Sequence, residues 1–235
     1  MLLPRDPWLA VPVAWLGFVA LGFAVKAAMR RLPEGPRWRP HAALKIALLV
    51  LSFALAGLEG LSPRDLGLRP AAQSIWGASI GLGLGLGAVS TLVILLAGLQ
   101  GLRKVMVGHS LPSIVFWFWI VSSVAEEVFC RGWFQASVMD GAAPGALGAL
   151  LPSAVLFGSL HLVMLFAGVD RASVAFVVVS TTALGLLAAW AMAATGSLYP
   201  PIAAHVAFNV GGMMGGVAYA GMYRAFTGRM PFQRT

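Results

Sequence analysis

Seven stretches of about twenty apolar residues, separated by short polar connections, constrain this chain more than any other feature. They lie near Trp8–Met29, Ala42–Gly60, Ile75–Leu99, Ser113–Ser137, Pro152–Val169, Val174–Ala194 and Pro200–Met222. Each is close to the ~20 residues that cross the hydrocarbon core of a bilayer as a helix. Most are apolar all round, and a helix without a polar face needs lipid rather than water around it. Composition agrees: 59% of the residues are hydrophobic and 10% charged, where a soluble domain has roughly a quarter charged. The expected fold class is all-α, a polytopic transmembrane bundle of about seven helices, eight if a weakly apolar segment also crosses. Residues 1–235 are expected to form a single integral membrane domain, with no soluble domain attached.

The net charge of +8 would point to nucleic acid only if its placement were ignored. Arg30, Arg31, Arg37 and Arg39, then Arg103 and Lys104, then Arg171, then Arg224, Arg229 and Arg234 all fall on one side once the spans alternate. Arg5, Arg64 and Arg69 fall on the other, the first two beside an aspartate. That asymmetry is the positive-inside bias, so an outside N-terminus, an inside C-terminus and no nucleic-acid partner are expected. The Gly/Ala/Leu/Arg-rich composition points to a GC-rich bacterial genome and hence to an inner (plasma) membrane. The first apolar stretch is too long for a signal-peptide core and reads as a permanent span. The single cysteine, Cys130, excludes an internal disulfide and any cysteine-based metal cluster and reads as a packing residue.

Several conspicuous patterns have structural readings. Gly81/Gly85, Gly83/Gly87, Gly211/Gly215 and Gly212/Gly216 are small-xxx-small faces for close helix packing, not a dinucleotide fingerprint. Phe116, Trp117, Phe118 and Trp119 read as lipid-facing or interfacial aromatics. His41 and His109 read as solvated loop histidines beside basic residues. Gly132 to Gly148 reads as a helix end plus an interfacial connection, with the fifth helix starting at Pro152, a residue suited to a first helical position.

Ionisable groups inside spans are costly and face a bundle interior or a watery cavity. In Glu126-Glu127-Val128-Phe129-Cys130-Arg131, Glu127 and Arg131 are four apart and share a helix face in the orientation of an ion pair. Glu126 points about 100° away, so Glu127 is expected to be neutralised by Arg131 and Glu126 to remain free toward the interior. His161 lies within an otherwise apolar span, and His205 and Asn209, four apart, share another face. A carboxylate, a histidine and a His/Asn donor pair are the parts of water-dependent acyl chemistry, with a base, a water-orienting ring and donors for a tetrahedral oxyanion. Gly77-Ala78-Ser79-Ile80-Gly81 has Gly-x-Ser-x-Gly spacing but lies within an apolar span with no strand before it, so no serine sits at a nucleophile elbow, and no His-Glu-x-x-His pair occurs to support a zincin.

Glu-Glu-x-x-x-Arg at 126–131, Phe-x-x-x-His at 157–161 and His-x-x-x-Asn at 205–209 resemble, in order, the three signature motifs of the CAAX-protease and bacteriocin-processing family. Gly132, Ser153 and Gly196-Ser197-Leu198 extend the likeness, which runs from about Leu66 to Asn209 within a family-like core of 66–222, leaving two N-terminal spans in 1–65. The resemblance implies an intramembrane endopeptidase acting on a membrane-associated protein or peptide. Glu126 and His161 would activate water, His205 and Asn209 would form the oxyanion hole, and Glu127, Arg131 and Phe157 would support them. No cofactor is expected. The minority alternative is zinc held by Glu126, His161 and His205, and rival functions are a catalytically silent immunity or scaffold protein and a proton-coupled transporter.

Overall fold

The structure, a computed structural model, describes residues 2–4, 6–31, 38–71, 74–99, 110–138 and 147–227. Among these, seven helices run in chain order: α1 (Pro7–Met29), α2 (Arg39–Leu58), α3 (Ser74–Leu96), α4 (Leu111–Val138), α5 (Leu147–Ser159, continued as a 3-10 stretch over Leu160–Ala167), α6 (Arg171–Thr195) and α7 (Tyr199–Thr227). Six are long and apolar enough to cross a membrane. The other, α7, has the length, at 29 residues, but its apolar run is interrupted by His205, Asn209 and repeated glycines. The chain is an all-helical integral membrane protein, and Leu82, Val89, Leu96 and Val179 stand exposed on outer faces that need lipid.

Local chemistry explains the helix ends. Asp6 caps α1 by accepting from the Trp8 N–H at 2.8 Å, with proline at the first helical position. Asp170 caps α6 by accepting from the Ser173 N–H at 2.8 Å. The tightened end of α5 and the end of α6 stop at Gly168 (φ 75°) and Gly196 (φ 61°), left-handed positions that glycine adopts without steric cost.

The fifth helix differs from expectation. It already includes Leu147, so Pro152 lies inside it. Leu147, Ala149, Leu150 and Leu151 before the proline are strong helix formers, and an interior proline is tolerated where neighbouring helices re-satisfy the backbone. His161 therefore lies ~21 Å of helical rise beyond Leu147. Of the Gly132–Gly148 connection, 132–138 belong to α4, 147–148 belong to α5, and 139–146 lie outside the described residues. Arg5, Arg37, Arg103, Lys104, His109, Arg229 and Arg234 also lie outside them.

The glycine faces pack where backbone meets backbone. A Cβ at Gly83 would collide with the carbonyl of Ala204, one at Gly87 with that of Phe208, and those at Gly211 and Gly215 with Leu84 and Ala88. Lipid is as apolar as a leucine side chain, so such close van der Waals approach is what joins helices in a bilayer. Among the described residues, nothing lies within 4 Å of a Cβ built at Gly81 or Gly85, so of the two expected faces of α3 it is the Gly83/Gly87 face that packs on them. Ala204 and Phe208 directly precede His205 and Asn209, so the Gly83/Gly87 spacing sets the register of the donor pair on α7.

A strap before α3 fixes the start of α7. The Leu198 N–H donates to the Gly67 carbonyl at 2.9 Å, Arg69 Nε to the Gly196 carbonyl at 2.7 Å, and Ser197 Oγ to the Arg69 carbonyl at 2.6 Å. Within the strap, the Ser62 hydroxyl and N–H hold the Asp65 carboxyl below its ordinary range.

Candidate active site

The paired carboxylates sit at an irregular place in α4. Two π-helical stretches, Ile114–Val121 and Val128–Gln135, flank the regular turn Ser122–Glu127. Wide turns of this kind re-aim side chains and recur at functional sites. Arg131 Nη1 stands 3.1 Å from Glu127 Oε2, both side chains fully buried, as the four-residue spacing predicts. Arg131 is further held by the Gly185 carbonyl at 2.6 Å, and its guanidinium lies 4.6 Å above the centre of the Phe157 ring. Gly185 has no side chain because one would press on Ala154 and Arg131.

Glu127 does more than neutralise Arg131. Its Oε1 lies 3.0 Å from His205 Nδ1. A carboxylate accepts, so Nδ1 carries a proton and Nε2 is the nitrogen left to act. Nε2 is 3.8 Å from Glu126 Oε2. His205 thus bridges the two carboxylates, one at each ring nitrogen.

The expectation that Glu126 is free of any salt bridge is overturned. Lys45 Nζ of α2 pairs with Glu126 Oε1, and Ser122 Oγ donates to the same oxygen at 2.8 Å. Lys45 is 6% exposed and Glu126 5%, so neither is hydrated enough to remain unpaired at low cost. The sequence did hold a signal for Lys45: it is a charge inside an apolar span, which marks an interior-facing group by default. Helix spacing could not pair it with Glu126, because the two lie 81 residues apart.

The second and third motifs meet the first. His161 Nδ1 is 3.2 Å from the Phe157 carbonyl, one turn back. The carbonyl accepts, which places the proton on Nδ1 and leaves the Nε2 lone pair available. The Phe157 ring is fully buried and meets His205 edge-on at 5.1 Å and His161 at 5.6 Å, a wedge between the two imidazoles. Asn209 Nδ2 donates to Ser123 Oγ at 3.2 Å, and among the described residues its second N–H has no such partner. A cavity of about 730 Å³ opens onto all of this, lined by Lys45, Ser122, Glu126, His161, His205 and Asn209 at its polar part and otherwise by mostly apolar side chains.

Residues 108–211 match the family described as Type II CAAX prenyl endopeptidase Rce1-like. Over that stretch the chain is similar to that family. All three motifs fall inside it. No curated protein and no solved structure matches the chain. The family so described is one of prenyl endopeptidases. Lys45, on α2, lies outside the Rce1-like stretch and was missed by motif reasoning as well as by spacing.

Other expectations near the Rce1-like stretch need correction. His41 lies within α2, not in a loop, with its ring stacked on Phe118 at 4.0 Å. Phe116 is exposed as expected, but Trp117 stacks on Trp38 at 5.0 Å, and Phe118 and Trp119 line the cavity. Cys130 is buried in the core. Glu59, at the end of α2, was also overlooked; it accepts from Trp133 Nε1 at 3.2 Å and Ser137 Oγ at 2.5 Å, tying α2 to α4. Among the described residues, no three His, Cys, Asp or Glu side chains are arranged to hold a metal ion. Of the atoms the zinc set could use, Glu126 Oε1 is taken by Lys45 and Ser122 and His205 Nδ1 by Glu127, which leaves Glu126 Oε2, His161 Nε2 and His205 Nε2.

Proposed function

We propose that this chain is a glutamic-type intramembrane endopeptidase that hydrolyses a peptide bond of a membrane-associated protein or peptide without a metal ion. Glu126 is the general base and His161 Nε2 helps to orient the water. As the water oxygen bonds to the scissile carbonyl carbon, its proton passes to Glu126 Oε2. The carbonyl oxygen becomes an oxyanion and is met by His205 Nε2 and the second N–H of Asn209. Because His205 Nδ1 donates to Glu127, donation from Nε2 requires both ring nitrogens to be protonated in that state. The C–N bond then breaks as Glu126 returns its proton to the leaving amine. Each oxyanion donor supplies roughly 3–4 kcal/mol in such chemistry.

The observation that carries this reading is that one cavity, largely apolar, exposes all four side chains to the same space. Its apolar walls suit a lipid-embedded client, and its polar part supplies base and donors together. The basic loops support an outside N-terminus and an inside C-terminus, and the composition a bacterial inner membrane.

The experiment is cleavage by the purified chain in lipid vesicles of two internally quenched peptides of one sequence, with and without a prenylated cysteine near the C-terminus. Cleavage of either, undiminished by chelators and with no stoichiometric metal by elemental analysis, is expected. No cleavage of either, or activity lost with a bound metal and regained on its return, would overturn the reading.

A further inference from the structure

Lys45 occupies an unusual place for a lysine in a membrane span. Ala42, Lys45, Leu48, Ser52 and Ala56 are the buried residues of α2 and form one stripe along it. A lysine stem normally runs along apolar surface to bring its ammonium to water. This one points inward from the stripe that packs on α4 and ends on the cavity. Its ammonium meets Glu126 at Oε1, the oxygen that also accepts from Ser122. The other oxygen, Oε2, has no hydrogen-bond donor among the described residues and faces His205 Nε2 at 3.8 Å.

Two cations therefore serve two carboxylates, with a division of labour. Arg131 neutralises Glu127, which holds His205. Lys45 neutralises Glu126 from a separate helix.

We propose that Lys45 is a positioning residue for the general base: with Ser122 it binds one oxygen of Glu126 and so presents the other to the water. The proposal rests on the proposed role of Glu126. Without Lys45, the free oxygen of Glu126 has His205 as its neighbouring proton source. The two would draw together, removing the base from the water and Nε2 from the oxyanion at once. A lysine that merely fastened α2 to α4 would affect folding but not the turnover of folded molecules.

The test uses the full chain in lipid vesicles and whichever of the two quenched peptides the wild type cleaves, with rates taken per folded molecule. Lys45→Met should lower kcat about 10²-fold, the low end of what a positioned general base supplies. KM should stay within about threefold, as expected when an interaction acts on the transition state alone. Lys45→Arg, which restores a cation, should recover much of that loss. If Lys45→Met folds poorly, Lys45→Met with Glu126→Gln should regain the melting temperature, and Lys45→Arg against wild type then carries the kinetic comparison. A folded Lys45→Met variant with near wild-type kcat, a loss confined to KM, or a Lys45→Arg variant no better than Lys45→Met would overturn the proposal. Wild-type cleavage by Glu126→Gln, or no cleavage by the wild type, would instead overturn the functional reading beneath it.

Discussion

His205 Nδ1 rests 3.0 Å from Glu127 Oε1, while the other oxygen of Glu127 faces Arg131 at 3.1 Å. Glu127 thus joins a fold-stabilising ion pair to the histidine of the donor pair. The second glutamate of the Glu-Glu motif is a spacer with a charge: its partners lie on α4 and α7, and it sets which nitrogen of His205 faces the cavity.

Separate readouts follow for stability and activity. Arg131→Ala leaves Glu127 without its fully buried cation, which commonly costs ~3–5 kcal/mol. Thermal unfolding should show that loss. Glu127→Gln combined with Arg131→Met should recover part of the stability but little cleavage, because His205 loses the carboxylate at Nδ1. Full recovery of cleavage in the double variant would count against Glu127 as the residue that holds His205.

Much of this was legible in sequence, for local reasons. The Glu127–Arg131 pair is a one-turn relationship on a single helix, and His205/Asn209 is another. Apolar runs of the right length marked the spans. Relationships between helices were not legible, because no local spacing encodes how α2 is rotated against α4. That hid the Lys45–Glu126 pair and made Glu126 read as free. The same limit hid the bond from Asn209 to Ser123 and the stacking of His41 on Phe118. Pro152 misled for a different reason: its preference for a first helical turn is weaker than the pull of a membrane-embedded helix to continue through it.

The glycine faces give a paired control. Gly87→Ala drives a methyl into the Phe208 carbonyl, beside Asn209, whereas Gly85→Ala points into open space. Overpacking of this kind costs ~1–3 kcal/mol. Gly87→Ala should lower both the melting temperature and the cleavage rate, and Gly85→Ala should leave both near wild type. Equal behaviour of the two would contradict the α3–α7 packing described above.

Asn209 and Ser123 form a donor and its holder. Asn209→Ala should lower kcat by roughly 10²–10³, as loss of one oxyanion donor does, with KM little changed. Ser123→Ala frees one Asn209 N–H and should give a smaller loss of the same kind. Steady-state kinetics on the quenched peptides distinguishes this from a zinc-dependent site, where Asn209→Ala would cost far less and His161→Ala would release the metal.

The central claim is that the charge of Glu126 drives the chemistry, and Glu126→Gln tests it most directly. The substitution leaves Lys45 without its partner, so some loss of thermal stability is expected, and combining it with Lys45→Met should recover stability. Cleavage should disappear in both variants, because an amide cannot take the proton of the water. Measured on folded, vesicle-reconstituted protein, no turnover by either variant beside a cleaving wild type is the predicted result. Turnover by the stable Glu126→Gln/Lys45→Met variant near the wild-type rate would contradict it.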